Sequence, residues 1–151
     1  MSRLQLALNV SDLDEAITFY SKFFNTPPAK VRPGYANFAV EEPPLKLVLI
    51  EGGGTPGSIN HLGVEVYSSK EVTAETTRLA SEGMSTDIEG RTTCCFAVQD
   101  KVWVDGPDAA RWEVYTVLAD AADSTEISGD GRCCTLNKSS IAGAANETAC
   151  C

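Results

Sequence analysis

The side chains best suited to chemistry are few, and their spacing is unusual. The six cysteines fall in three adjacent pairs: Cys94-Cys95, Cys133-Cys134 and Cys150-Cys151. Neighbouring cysteines close a disulfide only with strain, because their Cα atoms lie too near for relaxed geometry. In a reducing compartment they stay thiols, and paired thiols suit soft metals and metalloids. The first pair stands in Arg91-Thr92-Thr93-Cys94-Cys95-Phe96, a polar turn that opens a strand expected over 94–104. On a regular strand the two side chains would point to opposite faces. At a turn the backbone can let both thiolates converge on one three-coordinate thiophilic ion. The other reading is two core cysteines packed as small hydrophobes. Phe96 and Val98 alternate in phase with Cys94, so they would wall the same pocket.

Harder donors lie elsewhere. His61 is the only histidine, and it sits in the strand-like run INHLGVEV. Sliding Leu4–Val10 by 56 positions lays it on Asn60–Val66 and puts Gln5 on His61, with Leu6, Leu8 and Val10 on Leu62, Val64 and Val66. Alternation then gives the aliphatics one sheet face and Gln5 and His61 the other. Glu113, in RWEVY, shares a face with Arg111 and Tyr115. A buried carboxylate is costly alone, so a metal or a cation belongs beside it. One amide oxygen, one imidazole and one carboxylate suit a divalent ion such as Fe(II), Mn(II) or Zn(II). Spacing alone leaves a metal site and structural polar residues equally open.

The elements that must position these residues repeat. Residues 3–10 alternate like a strand. Ser11 is placed to cap a helix on which Leu13, Ile17, Tyr20 and Phe24 share a face. Short strands are expected near 29–32, 35–41 and 45–51. The order recurs as a strand at 59–66, a helix at 69–83 and strands near 85–91, 94–104 and 111–118. This predicts an α+β fold: two βαβββ modules, about 3–51 and 58–118, forming a curved mixed sheet around one metal-containing cavity, with helices on the outer face. Gly52–Gly57 fits G-x-G-x-x-G, but a strand rather than a helix follows it, so it reads as the joint between modules. The domain is set at 1–119. Residues 120–151 read as a low-complexity, cysteine-containing tail with little apolar surface.

A net charge of −9 over 151 residues argues against a nucleic-acid partner. The N-terminal run carries one basic residue and is broken by Gln5 and Asn9. It reads as neither signal peptide nor membrane span, which places the protein in the cytoplasm, away from membranes, as monomer or homodimer.

The chain resembles the vicinal-oxygen-chelate superfamily of glyoxalase I, bleomycin and fosfomycin resistance proteins and extradiol dioxygenases. Within it, the chain closely resembles the organoarsenical carbon–arsenic lyases, a group that overlaps with cadmium-induced proteins. The matching stretches are LQLALNVSDLDEAITFYSKFF, AKVRPGYANFAV, PPLKLVLIE, NHLGVEV, TTCCFAVQDKVWVDGPD and RWEVYTVLAD, covering most of residues 4–120. The TTCC…QDKVWV…RWEVY pattern is specific to the lyases. The resemblance implies Fe(II) on the first strand of each module and on the last strand, at positions held here by Gln5, His61 and Glu113. Extradiol relatives have histidine at the first position, so Gln5 is a departure. The additional carboxylate of glyoxalase-type relatives falls near Leu47. The implied activity is Fe(II)- and dioxygen-dependent cleavage of the carbon–arsenic bond of a trivalent organoarsenical, methyl or aromatic, giving arsenite for detoxification, with Cys94 and Cys95 holding arsenic. The alternatives are a glyoxalase-type lyase or isomerase, indifferent to the cysteines, and a non-enzymatic thiol protein that sequesters Cd(II) or As(III).

Overall fold

The computed structural model describes residues 2–94 and 96–121, and for Cys94 the backbone only. Cys95, Cys133, Cys134, Cys150, Cys151 and the tail from 122 therefore lie outside the described residues.

The first module runs β1 (Arg3–Val10), α1 (Leu13–Phe23), β2 (Lys30–Arg32), β3 (Tyr35–Val40) and β4 (Leu45–Glu51). The second runs β5 (Ile59–Glu65), α2 (Ser69–Ser81), β6 (Thr86–Cys94), β7 (Ala97–Asp105) and β8 (Arg111–Asp120), with a short 3-10 turn at Pro107–Ala109. All eight strands form one mixed sheet in the order β2-β3-β4-β1-β5-β8-β7-β6. The order is symmetric about the antiparallel β1–β5 pair, and each first strand lies parallel to the last strand of its own module. Two βαβββ units sharing one sheet are thus the observed architecture, as the repeat predicts.

Alternation sorts the faces. Leu6, Leu8 and Val10 pack with Leu13, Ile17, Tyr20, Phe24 and Phe38 beneath α1. Val72 and Leu79 of α2 pack on Val102, Val104 and Val114. Gln5, Ala7 and Asn9 are buried on the opposite face of β1. The two ends of the sheet approach each other: Lys30 of β2 forms an ion pair with Asp120 of β8, and Tyr35 lies 5.8 Å from Phe96, centroid to centroid. The unlabelled face is therefore enclosed by strands rather than open to solvent.

Three local expectations change. The helix begins at Leu13, so the cap is Asp12 and not Ser11: Asp12 Oδ1 accepts from Glu15 N at 2.8 Å. The Leu13 N–H is taken instead by Glu51 Oε1 at 3.0 Å, which ties the helix start to β4. Second, Cys94 does not open a strand. It ends β6 and pairs with Ala97 of β7. Phe96 has φ +69°, a turn conformation that ends the ladder. Third, Leu47 belongs to the core under α1. The symmetric counterpart of the Gly63–Glu113 register pair is Ala7–Val48, since 7 plus 56 is 63. The position matching Glu113 is thus the buried aliphatic Val48, one residue beyond Leu47.

Candidate metal centre

Gln5 and His61 come together because β1 and β5 are antiparallel. Gln5 faces Gly63 and Ala7 faces His61, which makes Gln5 and His61 diagonal neighbours on one face. Glu113 joins them from β8, opposite Gly63. A Cβ on Gly63 would lie 2.9 Å from Glu113 Cγ and 3.4 Å from Gln5 Cβ. Only glycine leaves room there for the two side chains to meet.

All three are buried, and they touch. Gln5 Nε2 donates to Glu113 Oε1 at 2.6 Å and lies 2.9 Å from His61 Nε2. His61 Nε2 is 3.3 Å from Glu113 Oε1. The second carboxylate oxygen is held by Lys101, whose Nζ donates to Oε2 at 2.8 Å and is itself only 1% exposed. Burial alone would raise the Glu113 pKa, but the Lys101 ammonium beside it outweighs burial and holds the carboxyl down to about 2. The cation expected beside Glu113 is therefore present as Lys101, while Oε1 is left facing Gln5 and His61. Trp103 meets the His61 ring edge-on at 5.5 Å and also carries Lys101 and Arg111 against its face.

Tyr115 donates its hydroxyl to Gln5 Oε1. Burial first, then Glu65 and Glu113, push that hydroxyl far above the usual tyrosine range, so it stays protonated. Beyond it lies a second charged group. Lys46 sits 3.7 Å from Glu65 and over the Tyr115 ring, and Arg3 pairs with Glu65. Burial lowers the Lys46 pKa, partly offset by Glu65.

The donor set fits a divalent cation with one adjustment. The amide nitrogen of Gln5 cannot ligate, and it is the atom that faces His61 and Glu113. In metal-free form this N–H₂ satisfies both acceptors, the role a cation would otherwise fill. Turning the amide by 180° aims Oε1 inward. Nε2 then faces Tyr115, whose oxygen can accept as well as donate. Among the described residues no three His, Cys, Asp or Glu side chains cluster; the third candidate donor is this amide.

The other candidates lie nearby or out of reach. Phe96 packs with Tyr35 beside Ala7 and Val48, on the same face as the trio. Val98 falls in step with Asp100 and Val102, opposite to buried Ala97, Gln99, Lys101 and Trp103. Cys95 and the Cys94 side chain lie outside the described residues. Gln99 Oε1 is a buried side-chain oxygen with no hydrogen-bond partner among the described residues. A surface groove lined by Asp12, Asp14, Glu15, Phe19 and Phe23 runs along the outer side of α1 and includes none of these residues. Sequence reasoning put Tyr115 on Glu113's face without a role and missed Lys101 and Gly63. Lys101 could have been found from its phase with Trp103 in a strand that pairs with Glu113's own.

Comparison with known proteins agrees with this fold. Residues 3–114 match the family model of the Glyoxalase/Bleomycin resistance protein/Dioxygenase superfamily. The chain is 57% identical over 152 residues, covering 100% of both chains, to a trivalent organoarsenical cleaving enzyme of Thermomonospora curvata. It is 67% identical over 121 residues, 80% of each chain, to the cadmium-induced protein CadI of Mycobacterium tuberculosis. Among solved structures, the Mn(II)-bound glyoxalase of Novosphingobium aromaticivorans superposes with a TM-score of 0.58 at 18% identity, over 85% of this chain and 44% of that one, a likeness of fold alone. With an α+β sheet of two βαβββ units and a family match over most of its length, the chain belongs to the glyoxalase/bleomycin resistance protein/dioxygenase superfamily.

Proposed function

We propose that this protein cleaves the carbon–arsenic bond of trivalent organoarsenicals, releasing arsenite in an Fe(II)- and dioxygen-dependent reaction that detoxifies them. The observation that carries the reading is the meeting of Gln5, His61 and Glu113 within 2.6–3.3 Å of one another, in a chain alike over its full length to an organoarsenical cleaving enzyme. In this reading His61 Nε2, Glu113 Oε1 and the turned amide oxygen of Gln5 hold the iron. Three protein donors leave positions for small ligands, and bound Fe(II) supplies dioxygen binding and activation.

The chain's own residues do the rest. Lys101 keeps Glu113 ionised and holds its Oε2, so that one oxygen is presented inward. Tyr115, which in the metal-free form donates to Gln5 Oε1, accepts from Nε2 of the turned amide. Cys94, the last residue of β6, and its chain neighbour Cys95 exchange two arsenic-bound hydroxyls for their sulfurs, the two thiol protons leaving with the hydroxyls as two waters. Soft sulfur thus takes arsenic while nitrogen and oxygen take iron. Phe96, Tyr35 and Val48 give the organic group an apolar surface. Val48 replaces the additional carboxylate of glyoxalase-type sites, which favours this reading over a lyase or isomerase with a filled coordination shell. The catalytic domain, expected at 1–119, runs to the end of β8 at Asp120, and the thiols require a reducing compartment such as the cytoplasm. Among the described residues no helix is long and apolar enough to cross a membrane.

The test is anaerobic loading with Fe(II), addition of methylarsenite or phenylarsenite, then admission of air while arsenite is measured. Arsenite should appear only with both iron and air. Release without oxygen would favour the glyoxalase-type alternative, and stoichiometric binding without turnover would favour sequestration.

A further inference from the structure

The joint between the modules lies against His61 through a chain of hydrogen bonds that the proposed reaction does not use. His61 Nδ1 is 2.7 Å from Asn60 Oδ1. Asn60 Nδ2 donates to Asn9 Oδ1 at 2.9 Å and to the Gly53 carbonyl at 3.4 Å. Asn9 Nδ2 donates to Ser58 Oγ at 2.9 Å, and Ser58 Oγ donates to the Thr55 carbonyl at 2.6 Å. The direction of this chain is fixed at its far end. A carbonyl only accepts, so the single Ser58 proton is committed to Thr55. Asn9 must then offer its N–H₂ to Ser58 and its oxygen to Asn60. Asn60 must offer its N–H₂ to Asn9 and Gly53, which leaves its oxygen for His61. An amide oxygen cannot donate, so Nδ1 carries the imidazole proton.

We propose that Asn60, fixed by Asn9, Ser58 and the glycine joint, sets the Nδ1–H tautomer of His61 and so aims the Nε2 lone pair at Gln5 and Glu113. Two features of the backbone serve this arrangement. Neighbouring residues of a strand normally point to opposite faces. Here the β1–β5 register slips between Ala7–His61 and Leu8–Ile59, so Asn60 is the bulged residue, and a bulge re-aims its side chain. The glycines are also required. A Cβ on Gly53 would lie 2.9 Å from Asn9 Oδ1 and 3.2 Å from Asn60 Nδ2, and one on Gly54 would lie 2.8 Å from Asn9 Nδ2. The Gly-rich segment thus does more than link modules, because its close approach keeps the two asparagines in one orientation. Asn60 is a positioning residue, and its value for metal binding rests on reading His61 as a donor. Partners of this kind raise the basicity and fix the ring of a ligating histidine, and their loss weakens metal binding.

The experiment uses ¹⁵N-labelled, tag-free, metal-free protein at about pH 8, above the usual histidine range. His61 is the only histidine, so the imidazole signals need no assignment. Wild type should show a protonated Nδ1 and a bare Nε2. Asn60→Leu should lose that preference and bind Mn(II) or Zn(II) roughly 10–100-fold more weakly. Asn60→Asp keeps the acceptor oxygen for Nδ1 but not the N–H₂ for Asn9 and Gly53, so it should restore the Nδ1–H preference more fully than the metal affinity. An Nε2–H tautomer in wild type overturns the proposal, and so does an unchanged tautomer in folded Asn60→Leu, since Gln5 alone would then be setting it. If Asn60→Leu does not fold, Asn60→Ala makes the same comparison. A wild type with Nδ1–H and Asn60 dependence but no divalent-metal affinity would support the tautomer assignment and sink the metal reading.

Discussion

Replacing Lys101 by methionine would leave Glu113 as an unpaired buried carboxylate and should reverse how that group responds to pH. In the native protein the pair is 2.8 Å apart and nearly inaccessible to water. Removing one partner of such a pair costs roughly 3–5 kcal/mol, because the other charge stays buried. The sign can be followed through linkage. With Lys101 in place, Glu113 titrates at about 2, below its ordinary 4.5. Its contribution is full above the unfolded value and lost as pH falls towards 2. Without Lys101, burial dominates and the folded pKa rises above 4.5. The carboxyl then stabilises only while protonated, and that contribution is lost as pH rises. The variant's deficit should therefore be smaller at pH 4 than at pH 7 and grow by several kcal/mol between them, measured by urea unfolding of metal-free protein. Lys101→Arg keeps the charge and should lose less. Mn(II) should recover more stability in Lys101→Met than in wild type, because it replaces the missing cation. Equal deficits at both pH values, or none, would refute this account of Glu113.

Other perturbations test the geometry around it. Gly63→Ala places a Cβ 2.9 Å from Glu113 Cγ, so divalent-metal affinity should fall about tenfold or more with the fold retained, as read by metal titration and circular dichroism. Gln5→His should keep or strengthen metal binding, since imidazole is the better donor; a folded but metal-free variant would remove this position from the ligand set. Truncation after Ala122 keeps the Lys30–Asp120 pair and the Ala121–Phe96 backbone bond, and turnover should survive it. Loss of activity in a folded truncation would mean that the tail thiols deliver or hold arsenic.

What the sequence made legible follows from periodicity. Gln5, His61 and Glu113 could be placed on one face because strand side chains alternate, and the 56-residue offset brought two of them into register. Whatever breaks or counters that period was hidden. Asn60 reaches His61 only through a bulge, which strict alternation would deny. The additional carboxylate's place, near Leu47, falls on Val48 once the register is known, and in a strand one residue changes the face. Lys101 runs against composition, since lysine is seldom fully buried, and only Glu113 explains it. Cys94 stands at a strand end rather than a strand start because the turn marked by the positive φ of Phe96 carries no glycine to signal it.

The central claim is that the cysteine pair and the polar trio act on one substrate, and a single set of measurements tests it: arsenite release alongside iron content for wild type, Cys94→Ser, Cys95→Ser, the double variant and Glu113→Ala. Two thiolates hold trivalent arsenic far better than one, because the second bond closes at high effective concentration. Each single cysteine variant should therefore lose most of its activity while keeping iron, and the double variant should lose little more, as expected of residues that act as one unit. Glu113→Ala should lose iron and activity together. Single cysteine variants that release arsenite at the wild-type rate with iron bound would make the pair mere packing and contradict carbon–arsenic cleavage at this site.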